Sequence, residues 1–240
     1  MKKNIKLFDP VIGNSEEKEI IKILKSGFWA SGSGTGRVRE FENKFCEYIG
    51  SKECVAVNSG TAALNLALSL FDIKNKEVIL PSLTFVSTAH SILLNGGKPV
   101  FADVDPKTLC IDPEQIKKLI SKKTAVILPV HFAGMACNMD EILKICQENK
   151  INLVEDAAHA SGTKYKKKKI GTHGMAVCFS FHPVKNLAAP TGGLISINHL
   201  RHKKIKKTLN EKRWCGITNR NEYSYDVKQI GWNYYMNEFS

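Results

Sequence analysis

Short apolar runs alternate along the chain with stretches whose apolar residues recur at helical spacing. Residues 54–57 (CVAV) read as a buried strand, and 62–68 as a helix. Residues 77–80 (EVIL) form the next strand, ended by Pro81, and the apolar spacing predicts a helix over 85–94. A strand at Lys98–Ala102 follows, then a helix opened by Pro113 and running to Ile120. Residues 125–128 (AVIL) precede a helix over 140–149, and Asn152–Asp156 closes the series. Strands this short, with helices between them, imply βαβ units and a mostly parallel sheet. Beyond Asp156 the rhythm changes: residues 163–171 read as a hairpin with a Lys-rich tip. Two apolar strands at Ala176–Ser180 and Gly193–Ile197 come next, followed by a helix over 198–210. The expectation is one α/β unit, a three-layer αβα arrangement without repeats or an internal boundary.

Composition supports a packed domain: of 240 residues 43% are hydrophobic and 24% charged, which is globular usage rather than that of a disordered tail. Seven cysteines stand without a C-x-x-C pair, so they read as reduced core residues of an intracellular protein. The first residues (MKKNIKLFDP) meet charge and Pro before any apolar stretch long enough for a signal peptide. No window approaches the roughly 20 apolar residues of a membrane span. A soluble, cytoplasmic protein is expected. The net charge of +12 raises nucleic acid as a partner. Its lysines are dispersed, however, apart from short clusters at 166–169 and 201–207, and no nucleic-acid-binding motif accompanies them. Solvated helix faces are the simpler reading.

Open α/β sheets bind ligands beyond the carboxyl ends of their strands. Three stretches there carry candidate chemistry. Residues 58–63 (NSGTAA) make a Gly-containing turn into a helix, which is either a helix cap or a seat for phosphate. Residues 154–159 (VEDAAH) place Asp156 at the end of a buried strand with His159 three positions on. A capping Asp beside a structural His, an acidic partner for a cation, and a two-ligand metal site all fit, and the last lacks further ligands at suitable spacing. Residues 179–186 (FSFHPVKN) put Lys185 just past a strand. It is either a loop lysine or an amine made nucleophilic by desolvation. A phosphate seat, an Asp for a cationic ring nitrogen and a Lys for a Schiff base are together the parts that pyridoxal phosphate (PLP) requires.

The chain resembles the DegT/DnrJ/StrS group of sugar aminotransferases, of the aspartate aminotransferase fold (fold type I). The resemblance rests on Gly32–Gly34, Phe41–Glu42 and 58–64 (NSGTAAL), then on 81–85 (PSLTF) and 129–131 (PVH). It continues through 154–160 (VEDAAHA) and 180–186 (SFHPVKN) to 231–234 (GWNY). The motifs occur in the family's order and cover essentially the whole chain.

The resemblance implies roles. Lys185 matches the lysine that carries the cofactor, Asp156 the partner of the pyridine nitrogen, and His159 the residue bonded to the phenolic oxygen. Phe85 matches the aromatic stacked on the ring. Gly60, Thr61 and Ser180 match the phosphate cup, Ala62 is a further cofactor-binding position, and Asn233 matches an asparagine that reaches the phosphate from the other subunit of a homodimer. The implied activity moves an amino group from glutamate to a keto group of a nucleotide-linked sugar, for aminosugar or surface-glycan biosynthesis. No metal is expected. Relatives that carry His in place of the lysine dehydrate sugars instead; Lys185 favours transamination. A truncated, non-catalytic remnant is the other alternative. Two departures stand out. Thr191 occupies the position before Gly192-Gly193 where the family commonly has an acidic residue. The family also continues well past Gly231–Tyr234, so residues 1–240 are expected to be the PLP-binding large domain, with an N-terminal arm or helix over 1–30 and without the small C-terminal domain.

Overall fold

The structure, a computed structural model, describes Lys6, residues 9–221 and residues 223–240. Of the expected N-terminal arm, residues 1–5, 7 and 8 lie outside the described residues. The arm's helix is α1 (Asn14–Ser26), and α2 (Gly36–Ile49) follows. Then come β1 (Glu53–Val57), α3 (Gly60–Leu68), β2 (Glu77–Pro81), α4 (Val86–Leu94) and β3 (Lys98–Ala102). Next are α5 (Pro113–Leu119), β4 (Thr124–Ile127), α6 (Met139–Asn149) and β5 (Asn152–Asp156). A small hairpin of β6 (Lys164–Tyr165) and β7 (Lys168–Lys169) leads to β8 (Ala176–Ser180), β9 (Gly193–Ile197) and α7 (His202–Arg213). A second hairpin, β10 (Ile217–Thr218) and β11 (Asp226–Val227), precedes the final segment.

Seven strands form the central sheet in the order β1-β9-β8-β5-β4-β2-β3. Neighbours from β8 to β3 are parallel, whereas β9 runs antiparallel to both β8 and β1. The reversal follows from the β8–β9 connection: no helix crosses the sheet between them, so the chain turns back beside its predecessor. Apart from the edge strand β3, where Phe101 is exposed, the strands carry apolar runs because both faces are covered. Ile79, Ile127, Val177 and Leu194 enter the core under α2, α5 and α6. Their chain neighbours Leu80, Val126, Cys178 and Ile195 enter the core under α3, α4 and α7. This is the expected αβα arrangement.

The last large helix is displaced from its expected span of 198–210. The Asn198 side-chain amide donates to the Gly171 and Gly174 carbonyls at 2.6 and 3.3 Å, and the Asn198 N–H donates to Met175. His199 Nδ1 accepts the Arg201 N–H at 3.1 Å. These bonds hold residues 198–201 in a turn, so the helix starts later. It then runs on to Arg213, whose fully buried guanidinium donates to Glu42 at 2.7 Å and to the Ala56 carbonyl at 2.8 Å.

Five of the seven cysteines are buried and all are free thiols. Part of the basic excess is locally compensated. Lys166 pairs with Asp140, Lys206 lies 2.7 Å from Glu53, and the Lys169 ammonium sits 3.5 Å above the Tyr48 ring. Among the described residues no helix is long and apolar enough to cross a membrane.

Candidate active site

The carboxyl ends of β1, β2, β4, β5 and β8 point to one edge, and the start of antiparallel β9 meets them there. A cavity of about 330 Å³ opens at this edge. Gly60, Thr61, Phe85, Asp156, His159, Ser180 and Lys185, scattered over 126 positions of sequence, all line it.

The β1 end builds an anion seat. Ser59 is extended and caps α3, its hydroxyl accepting the Ala62 N–H at 3.1 Å. The Ala63 N–H goes to the Ser59 carbonyl. Among the described residues this leaves the Gly60 and Thr61 N–H groups without an acceptor at the positive end of the helix. Gly60 is required here by packing, since a Cβ on it would lie 2.7 Å from Ser180 Cβ. Gly193 likewise admits no side chain, because its Cβ would fall 2.3 Å from the Ser59 carbonyl. Thr191, at the position of the expected acidic residue, donates its hydroxyl to the Asn58 carbonyl at 2.5 Å and pins the two loops together.

Asp156 ends β5 and is 4% exposed. Its Oδ1 accepts the Ala158 N–H at 3.0 Å and its Oδ2 the Thr88 hydroxyl at 2.9 Å. Burial raises its pKa, opposed by those two hydrogen bonds and by nearby His159 and His131. Behind it the buried Glu155 accepts from the Gly174 N–H and, at 2.9 Å, from His131. A backbone N–H only donates, so the Cys137 N–H on His131 Nδ1 puts that ring's proton on Nε2, facing Glu155. The same logic fixes His159. Ala133 N–H donates to its Nδ1 at 3.2 Å, so the neutral ring carries its proton on Nε2. Burial pushes the His159 pKa down, as does the Lys185 charge, with Asp156 acting against both.

Lys185 is half-buried, and desolvation lowers its pKa against the opposing pull of Asp156. Its loop is held by the Lys185 N–H on the His182 carbonyl at 2.8 Å and by the Asn186 side chain on the Ser161 carbonyl at 2.5 Å. Phe85 caps α4 with 71% of its surface exposed beside the cavity. A large apolar ring left in water at a cavity mouth is a ready stacking platform.

Two expected residues lie apart. Ala62 is buried in α3 and does not line the cavity; its N–H is taken by Ser59. Asn233 is exposed outside the cavity, where its carbonyl accepts the Asn58 side chain at 3.3 Å. The structure adds residues to which the sequence assigned no role: Thr84 and His182, inside the quoted motifs, and Thr88 and Ala133, outside them. Thr84 and Thr88 have helical spacing as a faint signal, whereas a backbone N–H such as that of Ala133 leaves none. Among the described residues no group of three or more His, Cys, Asp or Glu is placed to hold a metal.

A wider cleft of about 980 Å³ lies between residues 28–33, α7 and residues 214–220. It contains none of these groups, and its rim carries Lys203, Lys206, Lys207 and Arg220.

Comparison with known proteins gives the family. A family model described as the DegT/DnrJ/EryC1/StrS aminotransferase family matches residues 10–240. The spore coat polysaccharide biosynthesis protein SpsC of Bacillus subtilis is 40% identical over 236 residues, which are 96% of this chain and 59% of that protein. The structure of PseC from Helicobacter pylori, an aminotransferase involved in the biosynthesis of pseudoaminic acid, superposes with a TM-score of 0.91 at 28% identity, over 99% of this chain and 63% of that one. The PLP form of the putative sugar aminotransferase Spr1654 of Streptococcus pneumoniae gives a TM-score of 0.92 at 27% identity, over 99% and 64% of the two chains. The chain spans about three fifths of the length of the curated relatives it matches.

Proposed function

The chain belongs to the DegT/DnrJ/EryC1/StrS aminotransferase family, and from that premise we propose that it is the PLP-binding large domain of a sugar aminotransferase. The observation that carries this reading is one cavity walled by a half-buried lysine of lowered pKa, a buried carboxylate and a helix N-terminus with free N–H groups.

The donor set fits the cofactor end to end. Gly60 and Thr61 N–H groups with the Ser180 hydroxyl suit a phosphate, Phe85 suits a ring face, and Asp156 suits a protonated ring nitrogen. Once bound, PLP supplies an electron sink through which an amino group leaves one carbon and joins another. The protein's own residues do the rest. Lys185 Nζ would hold the cofactor and, once released from it, would carry the proton at the reacting carbon. His159 Nε2–H would donate to the phenolic oxygen, and the lowered pKa of the ring favours a neutral donor over a second cation beside Lys185. Asp156 would keep the proton on the ring nitrogen, which desolvation otherwise disfavours.

In this reading glutamate gives the amino group and a nucleotide-linked ketosugar receives it, in ping-pong order, serving aminosugar and surface-glycan biosynthesis in the cytoplasm. A second copy of the chain is the partner. Val86, Leu93 and Leu94 stand 53–67% exposed along α4 beside Phe85, and a homodimer covers that apolar face while the partner's Asn233 completes the phosphate seat.

The test is borohydride reduction of PLP-loaded protein followed by peptide mass mapping. A pyridoxyl group on Lys185 is expected, and its absence from folded protein overturns the reading. Assay of glutamate-dependent amino transfer against loss of water then separates transamination from dehydration.

A further inference from the structure

The helix that presents Phe85 at its entrance also reaches Asp156 from behind. Thr88, in the first turn of α4, has no exposed surface, and its hydroxyl donates to Asp156 Oδ2 at 2.9 Å. Thr84, one turn earlier, lines the cavity, and its Oγ1 lies 2.7 Å from Thr88 Oγ1. A hydroxyl carries a single proton. With that of Thr88 committed to the carboxylate, the Thr84–Thr88 bond takes its proton from Thr84. The relay therefore has one direction, from the cavity wall to Asp156.

The titratable groups facing Asp156 are His131, His159, Lys185 and Cys178. None of them donates to it directly. His131 is turned to Glu155, and His159 Nδ1 accepts from Ala133. Among the described residues the direct donors are the Ala158 N–H on Oδ1 and the Thr88 hydroxyl on Oδ2.

We propose that Thr88, oriented by Thr84, is a positioning residue that holds Asp156 ionised and fixes its rotation toward the cavity. This rests on the PLP reading for its purpose, though not for its geometry. A hydrogen bond to a charged group in a buried site is among the strong ones, and without it the desolvated carboxylate keeps its proton to higher pH.

The test titrates the Asp156 carboxyl carbon by NMR in cofactor-free protein, comparing the wild type with Thr88→Val, Thr88→Ser and Thr84→Val. Thr88→Val is isosteric and is expected to raise the midpoint by about one pH unit, roughly tenfold in proton affinity. Thr88→Ser retains the wild-type midpoint, and Thr84→Val shifts it upward by less. PLP affinity, followed by absorbance, falls about tenfold in Thr88→Val and is kept in Thr88→Ser. A purely structural role would lower the melting temperature without moving the midpoint. Folded Thr88→Val that titrates like the wild type overturns the proposal. If Thr88→Val does not fold, an unmoved midpoint in Thr84→Val does so instead. A raised midpoint with unchanged PLP affinity upholds the relay and sinks the placement of the ring nitrogen at Asp156.

Discussion

At Lys185 two effects oppose each other. Loss of water around the half-buried amine lowers its pKa and the carboxylate of Asp156 raises it; the net direction is down, so desolvation wins. Asp156 shows the mirror case. Burial raises its pKa, while two hydrogen bonds and the neighbouring histidines pull it back toward ionisation. In both groups desolvation favours the neutral form, and at Asp156 it is the two hydrogen bonds that chiefly oppose it. Asp156→Asn keeps the volume and removes the charge. It is expected to leave Lys185 able to take PLP while lowering amino-transfer turnover by on the order of a hundredfold or more, as for loss of a group aimed at developing charge. Undiminished turnover, read in a glutamate-dependent assay, would count against the ring-nitrogen role. The sequence marked Lys185, Asp156 and His159 as candidates because each sits at or just past the end of an apolar run, where the sheet's ligand edge must lie, and all three line one cavity. Thr88 was not marked, since a threonine inside an amphipathic helix looks the same whether it meets solvent, core or carboxylate.

Elements are joined by contacts that span much of the chain. The helix α2 lacks a side-chain cap of its own; its N-terminus is closed by Glu238, whose carboxylate accepts the Arg37 N–H at 2.6 Å. The Arg213–Glu42 pair fastens α7 to α2, and Glu42 also accepts the Ala56 N–H of β1 at 2.9 Å. Both side chains are fully buried, at 0% and 1% exposure. Breaking a buried pair leaves a desolvated charge without its partner, at a cost of about 3–5 kcal/mol. Glu42→Gln is therefore expected to lower stability by about that much in urea unfolding. A loss under 1 kcal/mol would show that the ion pair does not hold the helices. Strand positions were predicted closely because most strands carry apolar residues on both faces; the edge strand β3, with Phe101 exposed, is the exception. The start of α7 was misplaced because the Asn198 side chain reaches back to the distant turn at Gly171 and Gly174, while His199 ties up the Arg201 N–H next to it.

For the whole molecule, the exposed face of α4 bears on assembly. Val86, Leu93 and Leu94 lie outside either core, and the proposed homodimer buries them. Sedimentation equilibrium is expected to give twice the chain mass, and Leu93→Lys to shift the protein toward the single-chain species; a wild type that sediments as one chain excludes the dimer. The sequence by itself determined the αβα layering, the strand and helix alternation and the three site motifs, because periodicity and strand-end position are local properties of the chain. Only the tertiary structure decided which residues meet. Strand order brings β1, β5 and β8 ends to one cavity, places Thr88 against Asp156, aims the Ala133 N–H at His159 and closes α2 with Glu238. Such pairings depend on how distant segments cross in space, and backbone donors leave no mark on residue identity, so no local pattern encodes them.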